Sequence, residues 1–213
     1  MSPTTLAASL LVTLAVCSAQ SNLPELKVEA SDGGSVLRVR NTASQPVVAY
    51  MIELVNYPGS WFAFWQDETT AEPVKPGEER RIPITNMTAG AAPEYMKMQA
   101  AIFADGSTAG TPERVPVLVE RRKQILATVK ELIARLSKAE TAGQSGTTAA
   151  ADLKKWDESI AGPTRSNRAK PEGIVAAAVK GQIEWAAAAL EKGSVPAVLA
   201  SLRANEKKLG GGQ

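Results

Sequence analysis

Asp67 and Glu68 stand side by side at the end of an aromatic run, and Glu53 and Glu94 fall on or beside stretches with strand character. Two carboxyl groups about 5–9 Å apart are what glycoside hydrolysis uses, one protonating the leaving oxygen and the other acting as nucleophile or activating water. Carboxylates, Lys and Tyr are the acid–base groups on offer, because the chain has no His and its single cysteine is Cys17. Ser-His-Asp and Cys-His nucleophile systems are therefore excluded, as are Cys- and His-ligated zinc sites and an imidazole proton shuttle near neutral pH. An oxygen-bound ion such as calcium stays chemically open, but Asp32-Gly33-Gly34-Ser35 lacks the further ligands of a calcium loop and reads as a turn. No Gly-rich phosphate loop or dinucleotide fingerprint is present, so no cofactor and no metal is expected. Adjacency in sequence does not set a carboxylate separation, and charged loop ends account for these acids without catalysis. No catalytic residue is assigned on this basis, and a carboxylate-based polysaccharide hydrolase stands as the alternative to a non-enzymatic role.

The second group of candidates is aromatic. Six of the ten aromatic residues fall between positions 50 and 65: Tyr50, Tyr57, Trp61, Phe62, Phe64 and Trp65. Two β-type runs, Val47–Val55 and Ser60–Gln66, are separated by Tyr57-Pro58-Gly59-Ser60, a turn signal. Along an extended strand Trp61, Ala63 and Trp65 share one face and Phe62 and Phe64 the other. Both faces are apolar, whereas a sandwich strand ordinarily needs one buried face. Either one set fills a sheet core while the other packs under helices, or Trp61 and Trp65 stay partly exposed as a contact surface, a role tryptophan favours. Tyr57, Trp61, Phe62, Phe64 and Trp65 are accordingly the candidate binding residues for a protein or cell-surface partner.

The segments that position these residues begin with residues 1–19, an uncharged leader whose apolar run Leu6–Val16 is shorter than the ~20 residues a membrane-spanning helix needs. Its small-residue end fits cleavage after Ala19, and predicts export to the periplasm or outside the cell. Retention as a membrane anchor is the rival outcome, and lipidation at Cys17 another, although Val16 is a poor residue to precede a lipidated cysteine. The mature chain then holds no cysteine, so burial rather than disulfides must stabilise it. With 24 basic against 22 acidic residues the formal net charge is +2, and the charges are interspersed. That argues against a nucleic-acid partner, and Arg121-Arg122-Lys123 reads as the wet face of a helix. Asn86-Met87-Thr88 matches a glycosylation sequon.

Residues 20–111 read as strands. Leu26, Val28 and Ala30 alternate with Lys27 and Glu29, then Asp32-Gly33 makes a hairpin turn and Val36–Val39 resumes the pattern. Pro76-Gly77 suits a type II turn ahead of Arg81–Thr85, and Tyr95–Phe103 stops at Asp105-Gly106-Ser107. Short β runs at this spacing predict an antiparallel sandwich of immunoglobulin-like type. The blocks LRVRNTASQPVVAYMIEL, VKPGEERRIPI and AAIFADGSTAGTPERV resemble the β portion of uncharacterised secreted bacterial proteins with an immunoglobulin-like domain. The resemblance spans residues 26–136 and rests on turn chemistry; it implies a fold and an exported location, and carries over no site residues.

Helical spacing takes over after Thr111-Pro112-Glu113, a helix-start signature, with Pro116 set to delay the regular helix. Leu118, Ile125, Val129, Leu132 and Leu136 recur along a long connecting helix over 112–141. Residues 142–150, containing GQSGTT, read as a flexible linker. Residues 151–213 follow as a small helical bundle: a short helix marked by Leu153, Trp156 and Ile160, a basic loop to Pro171, an Ala-rich helix over Ile174–Lys192, and a last helix capped at Ser194. The stripe Ala178, Gly181, Trp185 and Ala188 predicts close approach by a neighbouring helix. The overall expectation is an α+β protein in two parts, a sandwich followed by helices.

Overall fold

The computed structural model describes residues 22–58, 60–85, 90 and 93–210. The leader with Cys17 and the sequon at Asn86 lie outside the described residues. The protein is α+β, with two antiparallel sheets preceding four helices. Strands β1 (Glu25–Ser31), β2 (Gly34–Arg40) and β5 (Glu79–Thr85) form one sheet in the order β1-β2-β5. Strands β3 (Val47–Leu54), β4 (Ala63–Gln66), β6 (Met96–Phe103) and β7 (Thr108–Gly110) form the other in the order β4-β3-β6-β7. The β1–β2 hairpin closes on Asp32-Gly33, with Gly33 at φ +70° as such a turn requires.

The two sheets share a core. Leu37 and Val39 from one meet Tyr50, Ile52, Met96, Ala101 and Phe103 from the other, and all are buried. Strand β3 is buried on both faces because a third layer lies outside it. Ala49 and Met51 with Ala100 and Ile102 form a second cluster, covered by Leu118 and Val115 from the first turns of α1 (Val115–Thr141). Strand alternation sends Tyr50 and Ile52 to one layer and Ala49 and Met51 to the other, and the β3–β6 register shifts after Val47 and after Met51.

The four helices surround a third cluster. Ile125, Val129, Leu132 and Leu136 of α1 pack with Ala150 and Leu153 of α2 (Gly146–Ser159) and Ile183, Ala186 and Leu190 of α3 (Pro171–Lys192). Val198, Leu199 and Leu202 of α4 (Val195–Gly210) complete it. Helix α1 thus belongs to both halves: its start lies on the sheet and its remainder is core to the helices. The helix starts at Val115 rather than at Pro112, with Pro116 in its first turn.

Two expectations are corrected. Positions 146–150 of the expected linker are the first turns of α2, and Ser145 caps them by accepting from the Thr148 amide at 3.1 Å. Gly146 is there for closeness and not for flexibility, since a Cβ on it would meet the carbonyl oxygens of Leu190 at 2.6 Å and Gly193 at 2.7 Å. The stripe on α3 meets no neighbouring helix at Gly181, whose position faces open space, and Trp185 is 42% exposed. No described helix is long and apolar enough to cross a membrane.

Candidate functional site

Three of the four flagged carboxylates are brought together in one row, and α1 supplies a row of arginines against them. Glu53 sits on β3, while Asp67 and Glu68 directly follow β4. Arg114 precedes α1, and Arg121 and Arg122 come seven and eight residues later, about 10–12 Å further along at helical rise. Arg114 grips Glu53 with two bonds, Nε to Oε2 at 3.0 Å and Nη2 to Oε1 at 2.8 Å. Arg121 Nη1 donates to Asp67 Oδ2 at 2.7 Å, and the other oxygen of Asp67 accepts from the Thr69 amide at 2.9 Å. Arg122 Nη2 donates to Glu68 Oε1 at 2.5 Å, with Nε at 3.3 Å from Oε2. These pairs are well shielded: side-chain exposure is 14% and 1% for Arg121–Asp67, and 10% and 5% for Arg122–Glu68.

This geometry gives each of the three acids an arginine partner. A hydrolytic pair needs one carboxyl group able to carry a proton and another facing it across substrate, and here each carboxylate is occupied by its own guanidinium. The row fastens α1 to the sheet. Glu94 takes no part; it is exposed on a 3-10 turn, Pro93–Tyr95. Among the described residues no group of three or more His, Cys, Asp or Glu is placed to hold a metal ion. The wet-face reading of Arg121-Arg122-Lys123 is likewise corrected: Lys123 is exposed, but the two arginines are drawn in by carboxylates 54 residues away in sequence. The one available signal was the seven-residue recurrence of Arg at 114 and 121, just before and within the long helix, together with acids at the ends of the β runs.

The aromatic candidates divide as strand alternation demands. Phe62 and Phe64 pack into the core between the sheets, with the Phe64 ring 6.4 Å from that of Tyr50. The buried Tyr50 hydroxyl donates to Gln66 Oε1, and burial pushes its pKa above the ordinary tyrosine range, with Arg80 opposing. Ala63 and Trp65 face α1, and the Arg121 guanidinium stacks 5.2 Å from the Trp65 ring. Trp61 donates its indole N–H to Glu53 Oε1 at 2.8 Å, joining the aromatic run to the ion-pair row. Tyr57 is 42% exposed and meets Tyr95 edge to face at 5.3 Å. Trp61 and Trp65 are both half-buried, and each is held on one side by a polar partner.

All five residues from Trp61 to Trp65 nevertheless remain half-buried, because β4 is an edge strand. Among the described strands it pairs only with β3, in the register Tyr50↔Gln66, Met51↔Trp65, Ile52↔Phe64 and Glu53↔Ala63. The Leu54 amide donates to the Phe62 carbonyl at 2.9 Å, making 54/62 a hydrogen-bonded pair. By antiparallel alternation Phe64 and Gln66 also bond inward, while the amides and carbonyls of Ala63 and Trp65 point away from β3. The sequence signalled the aromatics but not that they line an open sheet edge. Compared with known proteins, the chain matches no family model, no curated protein and no solved structure.

Proposed function

We propose that the chain is an exported, non-enzymatic interaction module whose two sheets form an immunoglobulin-like sandwich, and that it binds protein by accepting an added strand along β4. The strand orders β1-β2-β5 and β4-β3-β6-β7 read as A-B-E and C′-C-F-G in that arrangement, which supports the fold reading. The leader's apolar run supports export to the cell envelope, and the resemblance of the turn motifs to those of secreted bacterial proteins points the same way. The helices, fixed by the arginine row, would hold the sandwich at a set orientation there.

One observation carries the interaction reading. Exposed sheet edges are normally blunted by charge, proline or shortness, because an open edge recruits other strands. Three edges here are blunted in those ways. β1 carries Glu25, Lys27 and Glu29; β5 carries Glu79, Arg80, Arg81 and Pro83; β7 has three residues. The remaining edge, the four residues of β4 with the two before it, is Trp-Phe-Ala-Phe-Trp-Gln, without charge or proline. Such an edge fits strand addition, in which backbone bonds supply affinity and alternate side chains supply specificity.

A photo-crosslinking residue at Tyr57, which borders this edge, tests the reading in the full chain expressed in its native envelope. A discrete protein adduct is expected, absent from a control carrying the probe at Lys155 on α2. Adduct formation at Tyr57 no greater than at Lys155 would overturn the reading.

A further inference from the structure

We infer that the strand added to β4 comes from a second copy of this chain, giving a twofold dimer centred on Ala63; the inference rests on the strand-addition reading above. The sequence Trp61-Phe62-Ala63-Phe64-Trp65 is a palindrome about Ala63. In an antiparallel pairing across a twofold axis residue i faces residue j of the other copy, and j faces i. Centring on Ala63 therefore sets Ala63 against Ala63, Trp61 against Trp65 and Phe62 against Phe64, so that every pair matches like with like. Cross-strand aromatic pairs of this kind stabilise a sheet relative to Ala–Ala.

The hydrogen-bonding phase agrees with that register. Ala63 and Trp65 direct their amides and carbonyls outward, and odd-numbered residues face odd-numbered ones when the axis passes through Ala63. Pairing then joins the two four-stranded sheets edge to edge, β4 against β4. Charge complementarity agrees too. A twofold contact brings like charges together, which is costly at a charged edge. Trp61 to Gln66 carries no charge, and the flanking Glu53, Asp67 and Glu68 are each neutralised by an arginine of their own copy. A chain of formal net charge +2 thus presents a neutral strand where its copies would meet.

Sedimentation equilibrium of the full chain across a concentration series reads the outcome. The mass is expected to rise from 22.4 kDa toward twice that value. Ala63→Pro removes the amide at the axis while leaving the β3–β4 ladder intact, since that amide faces outward; loss of its bonds should weaken dimerisation on the order of tenfold or more. A second variant keeps the test independent of how well Ala63→Pro folds. In a Cys17→Ser background, Ala63→Cys places two thiols at the axis, where Cα atoms about 5.5 Å apart suit a disulfide. It should oxidise to a linked dimer, whereas Tyr57→Cys should not. A chain that stays at 22.4 kDa throughout overturns the inference, as does a dimer that persists in folded Ala63→Pro or fails to crosslink through Ala63→Cys. If the mass stays monomeric while the Tyr57 probe captures another protein, strand addition survives and only the self-pairing fails.

Discussion

Removing Arg122 alone exposes what the arginine row does. The guanidinium and Glu68 are among the least exposed charges in the protein, at 10% and 5%. Arg122→Met leaves Glu68 buried without its cation, and breaking a shielded pair from one side costs about 3–5 kcal/mol. For a protein of this size that corresponds to a fall in Tm of about 6–20 °C. Removing both partners should behave differently: Glu68→Met with Arg122→Met takes away the stranded charge and returns apolar volume, and such replacements are often near neutral. The double variant is therefore expected within about 1–2 kcal/mol of the native chain, a coupling of at least about 2 kcal/mol between the sites. Asp152→Ala supplies the control, because its pair with Lys155 on α2 is exposed at 55% and 78% and should contribute about 0–1 kcal/mol. With Glu68→Met alone added to close the cycle, urea denaturation followed by far-UV circular dichroism reads all five proteins. An Arg122→Met cost below about 1 kcal/mol, or a double variant as unstable as the single, would refute the buried clamp.

Further outcomes follow from other parts of the chain. Because burial raises the Tyr50 pKa in the folded state, its contribution is fully present below the unfolded value near 10 and is lost as pH rises through the folded value. Stability should therefore drop by up to about 1.4 kcal/mol per pH unit above about pH 10, and Tyr50→Phe should flatten that slope in denaturation at pH 9 and pH 11. Gly146→Ala should lower stability by about 1–3 kcal/mol, since the added Cβ meets two backbone oxygens. Gly181→Ala, inside α3 with open space around it, should raise stability by about 0.4–1 kcal/mol. Thermal melts of the two glycine variants should move in opposite directions.

Much of the sheet was legible because its signals are local. Leu26 to Ala30 alternate, Asp32-Gly33 turns, and β1, β2 and β5 fall where the pattern places them. β7 was not legible, since three residues are too few to show alternation. The sequence marked β3 as a β-type run but not its burial on two faces, because the second cover, Leu118 of α1, lies far along the chain. Composition also misled around Gly146, because a glycine needed for close approach and one needed for flexibility look alike until Leu190 and Gly193 are seen beside it. The same distance problem hid the site. Asp67 and Glu68 looked available for chemistry and Arg121-Arg122 looked solvated, and only the packing of α1 on the sheet brings them together. The aromatic run stood out in the sequence, but that it lies on an edge strand is visible only once β4 is seen to pair with β3 alone among the described strands.

Amide hydrogen exchange at Ala63 and Trp65 tests the central claim most directly, because those groups point away from β3 and have no bond to lose inside their own sheet. At dilution they should exchange fast while the Phe64 and Gln66 amides, bonded inward, exchange slowly. With the added strand in place, at high concentration or with a captured partner, Ala63 and Trp65 should slow to match their neighbours. If the two amides exchange at one unchanging rate whatever the concentration or partner, strand addition at β4 is contradicted.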